Sequence, residues 1–204
     1  MILVFTIIAA AYSCRMLAML DIGGAWMSYI RAALYLLLFA LWGFSLDRRI
    51  IQAQVLHCMR LTAALMLLWL VLRTLKYEFV TDLTVARYIW YLYYLPMLFI
   101  PLLGVYIALS LGKSEEYRLT GKLGFLAIVP AVLFLLVITN DLHQHVFAFS
   151  GGVPIGSGNY SYSHGPVYFF CLGWMVACMF FSLVCILKKS VSQAAGKRSL
   201  CRLS

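Results

Sequence analysis

The sequence has few charged residues, and acidic residues are the scarcer kind. Of its 204 residues only 11% are charged, while 64% are hydrophobic. A soluble domain carries about 25% charged and about 45–50% apolar residues. A water-soluble core could not bury this much apolar surface, so a soluble enzyme or regulator is excluded and the surplus must face lipid. The sixteen Lys and Arg outnumber the seven Asp and Glu, but they cluster at the ends of apolar segments. The lipid bilayer is therefore the expected partner, and nucleic acid is not.

Catalytic and metal-binding motifs are also missing. The sequence has no Gly-x-x-x-x-Gly-Lys phosphate loop, no His-Glu-x-x-His and no Gly-x-Ser-x-Gly, and no pair of carboxylates lies in one apolar segment. The six cysteines include no Cys-x-x-Cys pair, so neither a disulfide framework nor a zinc site is expected. We predict no catalytic residues, no cofactor and no bound metal.

What the sequence does contain is a series of apolar segments, each near the length of about 20 residues that a membrane-spanning helix needs. Six such spans are predicted, near 2–20, 26–46, 55–75, 85–111, 123–139 and 167–187. The predicted fold is an all-α, polytopic transmembrane helix bundle. Residues 1–189 are expected to form one membrane domain, followed by a basic tail at 190–204.

Lys and Arg are distributed unequally between alternate connections. One set of connections, together with the tail, carries eleven of the sixteen basic residues. The other set carries five, namely Arg15, Arg31, Arg73, Lys76 and Arg87. The positive-inside rule assigns the richer set to the cytoplasm, so both termini are predicted to be cytoplasmic. The 27-residue connection at 140–166, which has no Lys or Arg, is then outside.

Arginines also lie near the ends of several spans. Because a deeply placed Arg costs about 2.5–3.5 kcal/mol on insertion scales, we expect these side chains to extend toward the headgroups. They are Arg15, Arg31, Arg60 and Arg73. No ionisable residue lies in the middle of the last three spans, which argues against an ion-coupled transporter.

Hydrogen-bonding residues are concentrated at the outer end of the predicted fifth span. We predict a ligand-sensing region formed by four of them, Asn140, Asp141, His143 and His145, together with His164 from the same connection. Imidazole titrates near neutral pH, so proton sensing fits as well. Helix capping and surface polarity would explain the same pattern without a sensory role. A zinc site is not expected, because two His at i and i+2 without a nearby Cys are a weak signal.

Two prolines lie in the predicted fourth span. Pro96 and Pro101 remove the helical hydrogen bonds to the carbonyls of Leu92 and Met97. Two such gaps in successive turns predict a kinked helix. The kink can act as a hinge, which we predict at Pro96 and Pro101, or it can be a static bend that neighbouring helices stabilise.

Three stretches occur in an order typical of one family. They are the Tyr- and Trp-rich stretch at 86–96, continuing to 103, the Thr-Asn-Asp-Leu-His-Gln stretch at 139–144, and the Ser-Tyr-Ser-His-Gly-Pro stretch at 161–166. Together they resemble the bacterial N-terminal seven-helix (7TM) membrane region found ahead of histidine kinases and related signalling proteins. The resemblance runs from about residue 31 to 189.

The resemblance implies a sensory module in the bacterial inner membrane that passes a stimulus to a cytoplasmic output protein or domain. Kinase activity is not implied, because the sequence has no phosphoacceptor helix or ATP-binding segment. Two alternatives remain open. One is a small transporter or channel. The other is an assembly protein or homo-oligomer, for which Gly173 with Ala177 and Cys178 with Ser182 supply the small-residue spacing of helix contacts.

Overall fold

The computed structural model describes residues 24–46, 50–114, 117, 121–150 and 162–200, together with residues 6, 9, 12, 13 and 16. The predicted first span therefore lies largely outside the described residues. The same holds for residues 47–49, for the connection at 151–161 and for the last four residues of the tail.

Most of the described chain is helical. The helices are α1 (Gly24–Ser45), α2 (Ala53–Thr74), α3 (Leu83–Leu92), α4 (Tyr94–Ser110), α5 (Ile128–Ile138), α6 (Asn140–His143) and α7 (Pro166–Leu200). A π-helical turn at Leu75–Phe79 continues α2, and the short turns Gly121–Gly124 and Phe125–Ala127 precede α5.

The helices have the lengths and apolar composition of a membrane protein. Within the described residues, three helical stretches are long and apolar enough to cross a bilayer: Ala53–Phe79, Leu83–Ser110 and Pro166–Val191. The apolar helices Tyr29–Ser45 and Phe125–Ile138 are shorter. The helical membrane fold predicted from the sequence is confirmed at this level, whereas six crossings and cytoplasmic termini stay predictions.

Helix α4 is the centre of the bundle. It packs against α2 on one side and against α7 on the other, while α1 packs on α2 and α5 lies against α4 and α7. The buried residues Leu98, Leu102 and Val105 recur at the spacing of a helix face. Gly104 lies close to α7, because a Cβ there would be 3.6 Å from the Ser182 hydroxyl. The core therefore follows α4 through the bundle.

The predicted fourth span is divided at Tyr93 into α3 and α4. Pro96 lies in the first turn of α4, where an N–H would have no partner within the helix, and Pro101 lies inside α4. The Trp174 indole of α7 donates to the Leu98 carbonyl at 3.1 Å, three residues before Pro101. The span is thus interrupted and supported by a neighbouring helix, and its role as a hinge stays a prediction.

The connection after α5 contains one feature that the all-α prediction did not include, a small β-hairpin. Strand β1 (Phe147–Phe149) pairs antiparallel with β2 (Tyr162–His164), with Ala148 opposite Ser163. Strands of three residues are too short to produce a recognisable alternation in the sequence. We call the end of the bundle that carries this hairpin the hairpin end, and the opposite end, which carries Ser110 and Lys189, the tail end.

Gly165 connects β2 to α7 at a point with no room for a side chain. Its N–H donates to the Val146 carbonyl at 2.9 Å, and the N–H of Val167 donates to the His145 carbonyl at 3.1 Å. A Cβ at Gly165 would lie 2.1 Å from the His145 carbonyl oxygen. Glycine is therefore needed for the hairpin to stay bonded to the start of α7.

We expect Gly165→Ala to lower the free energy of unfolding by about 1–3 kcal/mol, the usual cost of forcing extra atoms into a packed site. Gly173→Ala is the matched control, because a Cβ there has nothing within 4 Å and alanine is the better helix former. Thermal unfolding in detergent micelles measures both. Equal melting temperatures for the two variants would contradict the expectation.

Candidate functional site

A buried ion pair joins α3 to α6 at the hairpin end. Arg87 Nη2 lies 2.9 Å from Asp141 Oδ2, and the two side chains are only 4% and 16% exposed. The Tyr91 hydroxyl donates to Asp141 Oδ1 at 2.7 Å. Arg87 and Tyr91 are four residues apart and so lie on one face of α3. Both oxygens of the carboxylate therefore have a donor from the same helix.

The start of α3 is set by its own sequence. Asp82 Oδ1 accepts hydrogen bonds from the N–H groups of Thr84 at 2.7 Å and Val85 at 3.3 Å. This is the bonding pattern of an N-cap, which satisfies donors that a helix leaves unpaired at its first turn. Because α3 begins at this cap, Arg87 lies in the second turn and Tyr91 in the last one.

Asn140 connects α3 to the hairpin. Its Oδ1 accepts from the N–H groups of Val146 at 2.9 Å and Phe147 at 3.0 Å. Its Nδ2 donates to the Phe147 carbonyl at 3.0 Å and to the Tyr91 hydroxyl at 3.3 Å. The side chain is fully buried, and all four bonds use its amide in one orientation. Asn140 and Asp141 thus form one network with Arg87 and Tyr91.

Gln144 reverses the chain between α6 and β1. Its φ of 50° lies in the left-handed region, which few residues other than Gly and Asn adopt. The conformation is held at both ends of the residue. Its N–H donates to the Asn140 carbonyl at 2.7 Å, and its Oε1 accepts from the Phe149 N–H at 3.1 Å. This turn brings β1 back over the polar network.

An aromatic cluster covers the network, with Phe147 at its centre. Phe147 is 1% exposed, and six rings surround it with centroids 4.4 to 6.2 Å away. They belong to Trp90, Tyr91, Tyr94, Tyr162, His164 and Tyr168. Aromatic pairs at these distances contribute about 0.5–1.5 kcal/mol each beyond burial. The cluster joins α3, α4, the hairpin and α7.

The three histidines of the predicted region do not converge on one point. His143 Nε2 lies 3.0 Å from the Leu136 carbonyl, and its Nδ1 accepts from the His145 N–H at 3.0 Å. The rings of His143 and His145 stack at 5.1 Å. His164 lies 4.0 Å from the Tyr168 ring, within the aromatic cluster. Within the described residues no three His, Cys, Asp or Glu side chains are placed to hold a metal.

The structure therefore brings together only part of the predicted region. Asn140 and Asp141 share a network, and His164 belongs to the aromatic cluster. His143 and His145 bond to each other across the turn at Gln144. Ligand sensing by any of the five stays a prediction.

Arg87 and Tyr91 are the members of the network that the sequence did not single out. A usable signal was present, because Arg87 and Asp141 are opposite charges at the same end of successive spans. An unpaired charge is costly to bury, which favours pairing such residues.

The tail end of α4 is held by two other helices. The Lys189 ammonium donates to the carbonyls of Ala108 at 2.8 Å, Leu109 at 2.9 Å and Leu111. The last carbonyls of a helix lack donors within the helix and form the negative end of its dipole. Gln52, just before α2, donates to the Ser110 carbonyl at 3.1 Å. Both α7 and α2 are thereby bonded to the end of α4.

One family model matches the part of the chain that contains these elements. A model of the N-terminal 7TM region of histidine kinase matches residues 26–202. The chain belongs to this family. The match includes the whole network at the hairpin end and Lys189 at the tail end, and it confirms the resemblance found in the sequence. The 7TM family indicates a membrane sensory input module. The comparison with curated proteins gave no match, nor did the comparison with solved structures.

Asn140→Ala should destabilise the hairpin end of this 7TM protein. The change leaves the N–H groups of Val146 and Phe147 without their acceptor, and each buried unsatisfied group costs about 1–3 kcal/mol. Leu142→Ala is the control, because Leu142 is two residues away and 87% exposed. Thermal unfolding of the purified variants should give a much lower melting temperature for Asn140→Ala alone. An equal fall in both would count against the role of the amide.

Proposed function

We propose that the chain is the sensory input region of a bacterial signalling protein or complex. A stimulus acts at the hairpin end, and α7 carries the response to a cytoplasmic output protein or domain. The buried Arg87–Asp141 pair is the observation that carries this proposal. It joins two helices at one end of the bundle, through a contact that a ligand can open.

The proposed topology is six crossings in the bacterial inner membrane, with both termini in the cytoplasm. The hairpin end is then outside and the tail end inside. The excess of Lys and Arg in the connections of the tail end supports this orientation. Asn140, Asp141, His143, His145 and His164 would then lie at the level of the outer leaflet, at the end of the bundle that an external stimulus reaches first.

A buried ion pair is suited to switching because its open and closed states differ greatly in free energy. Neutralising Asp141 removes the carboxylate partner of the Arg87 guanidinium, which is 4% exposed. Removing one partner of a buried pair costs about 3–5 kcal/mol. Moving a two-state equilibrium from about 1:99 to about 99:1 takes about 5.5 kcal/mol. One such event therefore supplies most of the free energy that a complete switch requires.

A continuous set of contacts connects the pair to the tail end. At the hairpin end, Asn140 bonds to β1, and Gly165 and Val167 bond the hairpin to the start of α7. Midway along, Trp174 bonds to the Leu98 carbonyl of α4 at 3.1 Å. At the tail end, Lys189 bonds to the carbonyls of Ala108 and Leu109. Helices α4 and α7 are thus bonded directly at two of these levels, through Trp174 and through Lys189, with Pro96 and Pro101 on α4 as the proposed hinge.

Opening the pair by mutation should loosen α7 at its far end. We expect Asp141→Asn, with the full chain in lipid nanodiscs, to raise amide hydrogen exchange at the hairpin and also at residues 186–200. If about 1.4 kcal/mol of the lost stability reaches this part of α7, exchange there rises about tenfold. Hydrogen-exchange mass spectrometry measures both regions.

Asp82→Asn is the matched control for that measurement. It removes the same charge at the start of α3 but keeps a good N-cap residue, so exchange in α7 should stay unchanged. Increased exchange confined to the hairpin in Asp141→Asn would contradict transmission through α7, while leaving the local role of the pair intact.

The proposed orientation predicts the behaviour of two fusions. Green fluorescent protein fused after Ser204 should fluoresce, because it matures in the cytoplasm. Alkaline phosphatase inserted after Ser150 should be active, because it needs the oxidising exterior to form its disulfides. Both reporters can be assayed in intact bacteria. The opposite pair of results would overturn the orientation.

A further inference from the structure

A second polar region lies between α1 and α2, away from the ion pair. A cavity of about 300 Å³ opens there toward the hairpin end. Its walls include Arg31 and Tyr35 from α1, Arg73 from the last turn of α2, and Tyr77 and Glu78 from the π-helical turn. None of these residues belongs to the network of Arg87 and Asp141.

The side chains that line the cavity favour an anion. Two arginines and one glutamate are among them. Arg73 is positioned by the Trp69 ring, with its guanidinium carbon 5.7 Å from the ring centroid, and within the described part of the chain it makes no ion pair. Guanidinium groups bind phosphate through paired N–H donors. A phosphodiester carries one negative charge, whereas a free phosphate monoester carries about 1.5–2 at pH 7.

The backbone around the cavity is unusual. Residues Leu75–Phe79 form a π-helical turn, a conformation that is rare and frequent at functional sites. The turn places Tyr77 and Glu78 on the wall that faces α1. The Tyr29 and Phe79 rings, 5.7 Å apart, join α1 to the end of the turn. The turn thus contributes both hydrogen-bonding groups and the contact that holds the two helices together beside them.

The groove between α1 and α2 becomes apolar beyond the charged residues. Ala32 and Leu70 are the apolar residues that line the first cavity. Further toward the tail end, a second cavity of about 370 Å³ lies between the same helices, lined by small residues, by Phe44 and Leu67, and by Arg60. A polar mouth followed by apolar walls matches the shape of a lipid, with a headgroup and hydrocarbon chains.

We propose that the cavity between α1 and α2 binds the phosphodiester of an anionic membrane lipid. Arg31 and Arg73 hold the phosphate, and the hydroxyls of Tyr35 and Tyr77 donate to its oxygens or to headgroup hydroxyls. Glu78 disfavours a doubly charged phosphate. The acyl chains follow the groove past Leu70. This site is separate from the proposed stimulus site and does not depend on it.

The test uses the purified full chain in detergent, titrated separately with phosphatidylglycerol, phosphatidylcholine and glycerol 3-phosphate. We expect phosphatidylglycerol to raise the melting temperature and to stay bound in native mass spectrometry. Arg73→Gln should weaken that binding about tenfold, the equivalent of one charge-assisted hydrogen bond. Arg31→Gln combined with Arg73→Gln should weaken it further. Arg73 is an exposed side chain, so the single variant is expected to fold.

Two further variants test whether the position and the paired donors of Arg73 matter for binding. Lys113→Gln removes a basic residue in an exposed connection and should leave binding unchanged. Arg73→Lys keeps the charge but loses the paired donors, so it should bind more weakly than wild type. Equal binding of phosphatidylcholine, or unchanged binding in the double arginine variant, would overturn the proposal. If glycerol 3-phosphate binds as tightly as phosphatidylglycerol, the ligand is a free phosphate ester and not a lipid, and the proposal is overturned.

Discussion

Burying Arg87 places a requirement on the whole hairpin end, because a guanidinium cannot be neutralised and is costly to leave unpaired in an apolar bundle. The Asp141 carboxylate meets that requirement at 2.9 Å. The Tyr91 hydroxyl, one turn further along α3, donates to the other oxygen of this carboxylate. The neighbouring Asn140 is then drawn into the same buried layer, where its amide binds β1. One charge pair therefore determines where α6 lies and where the hairpin begins.

The need to give every buried polar group a partner also explains how α4 contacts its neighbours. Two prolines interrupt its hydrogen bonding, and its last carbonyls have no donors within the helix. In lipid such groups must be satisfied by protein. At the end of α4, Gln52 donates to the Ser110 carbonyl and Lys189 donates to the Ala108 carbonyl. Trp174 donates to the Leu98 carbonyl, one residue after the Met97 carbonyl that Pro101 leaves without its helical donor. Trp174 and Lys189 thus tie the central helix to α7 at the levels where a signal would pass.

Much of the fold was predictable because the hydrophobic effect acts on each segment separately. The apolar runs with charged ends at 26–46 and 55–75 identify α1 and α2 to within two residues, and the prolines indicate an interrupted fourth span. The start of α7 was also predicted, but the helix continues to Leu200, beyond the predicted end at 187. The hairpin was not predictable, since its strands have three residues each and pair across a long connection. The candidate region was predicted in part. Asn140 and Asp141 stood out as polar residues at a span end, whereas Arg87 was counted only toward topology.

The sequence by itself determined that this is a helical membrane protein, because its apolar fraction exceeds what a soluble core could bury, and the order of its Tyr, Pro and Asn-Asp stretches identified the 7TM family. Tertiary structure alone decided which polar groups meet. Arg87 and Asp141 are 54 residues apart, and Lys189 lies 81 residues from Ala108. Contacts across such separations depend on how whole helices pack and on which buried groups still need a partner. A short stretch of sequence predicts neither of these.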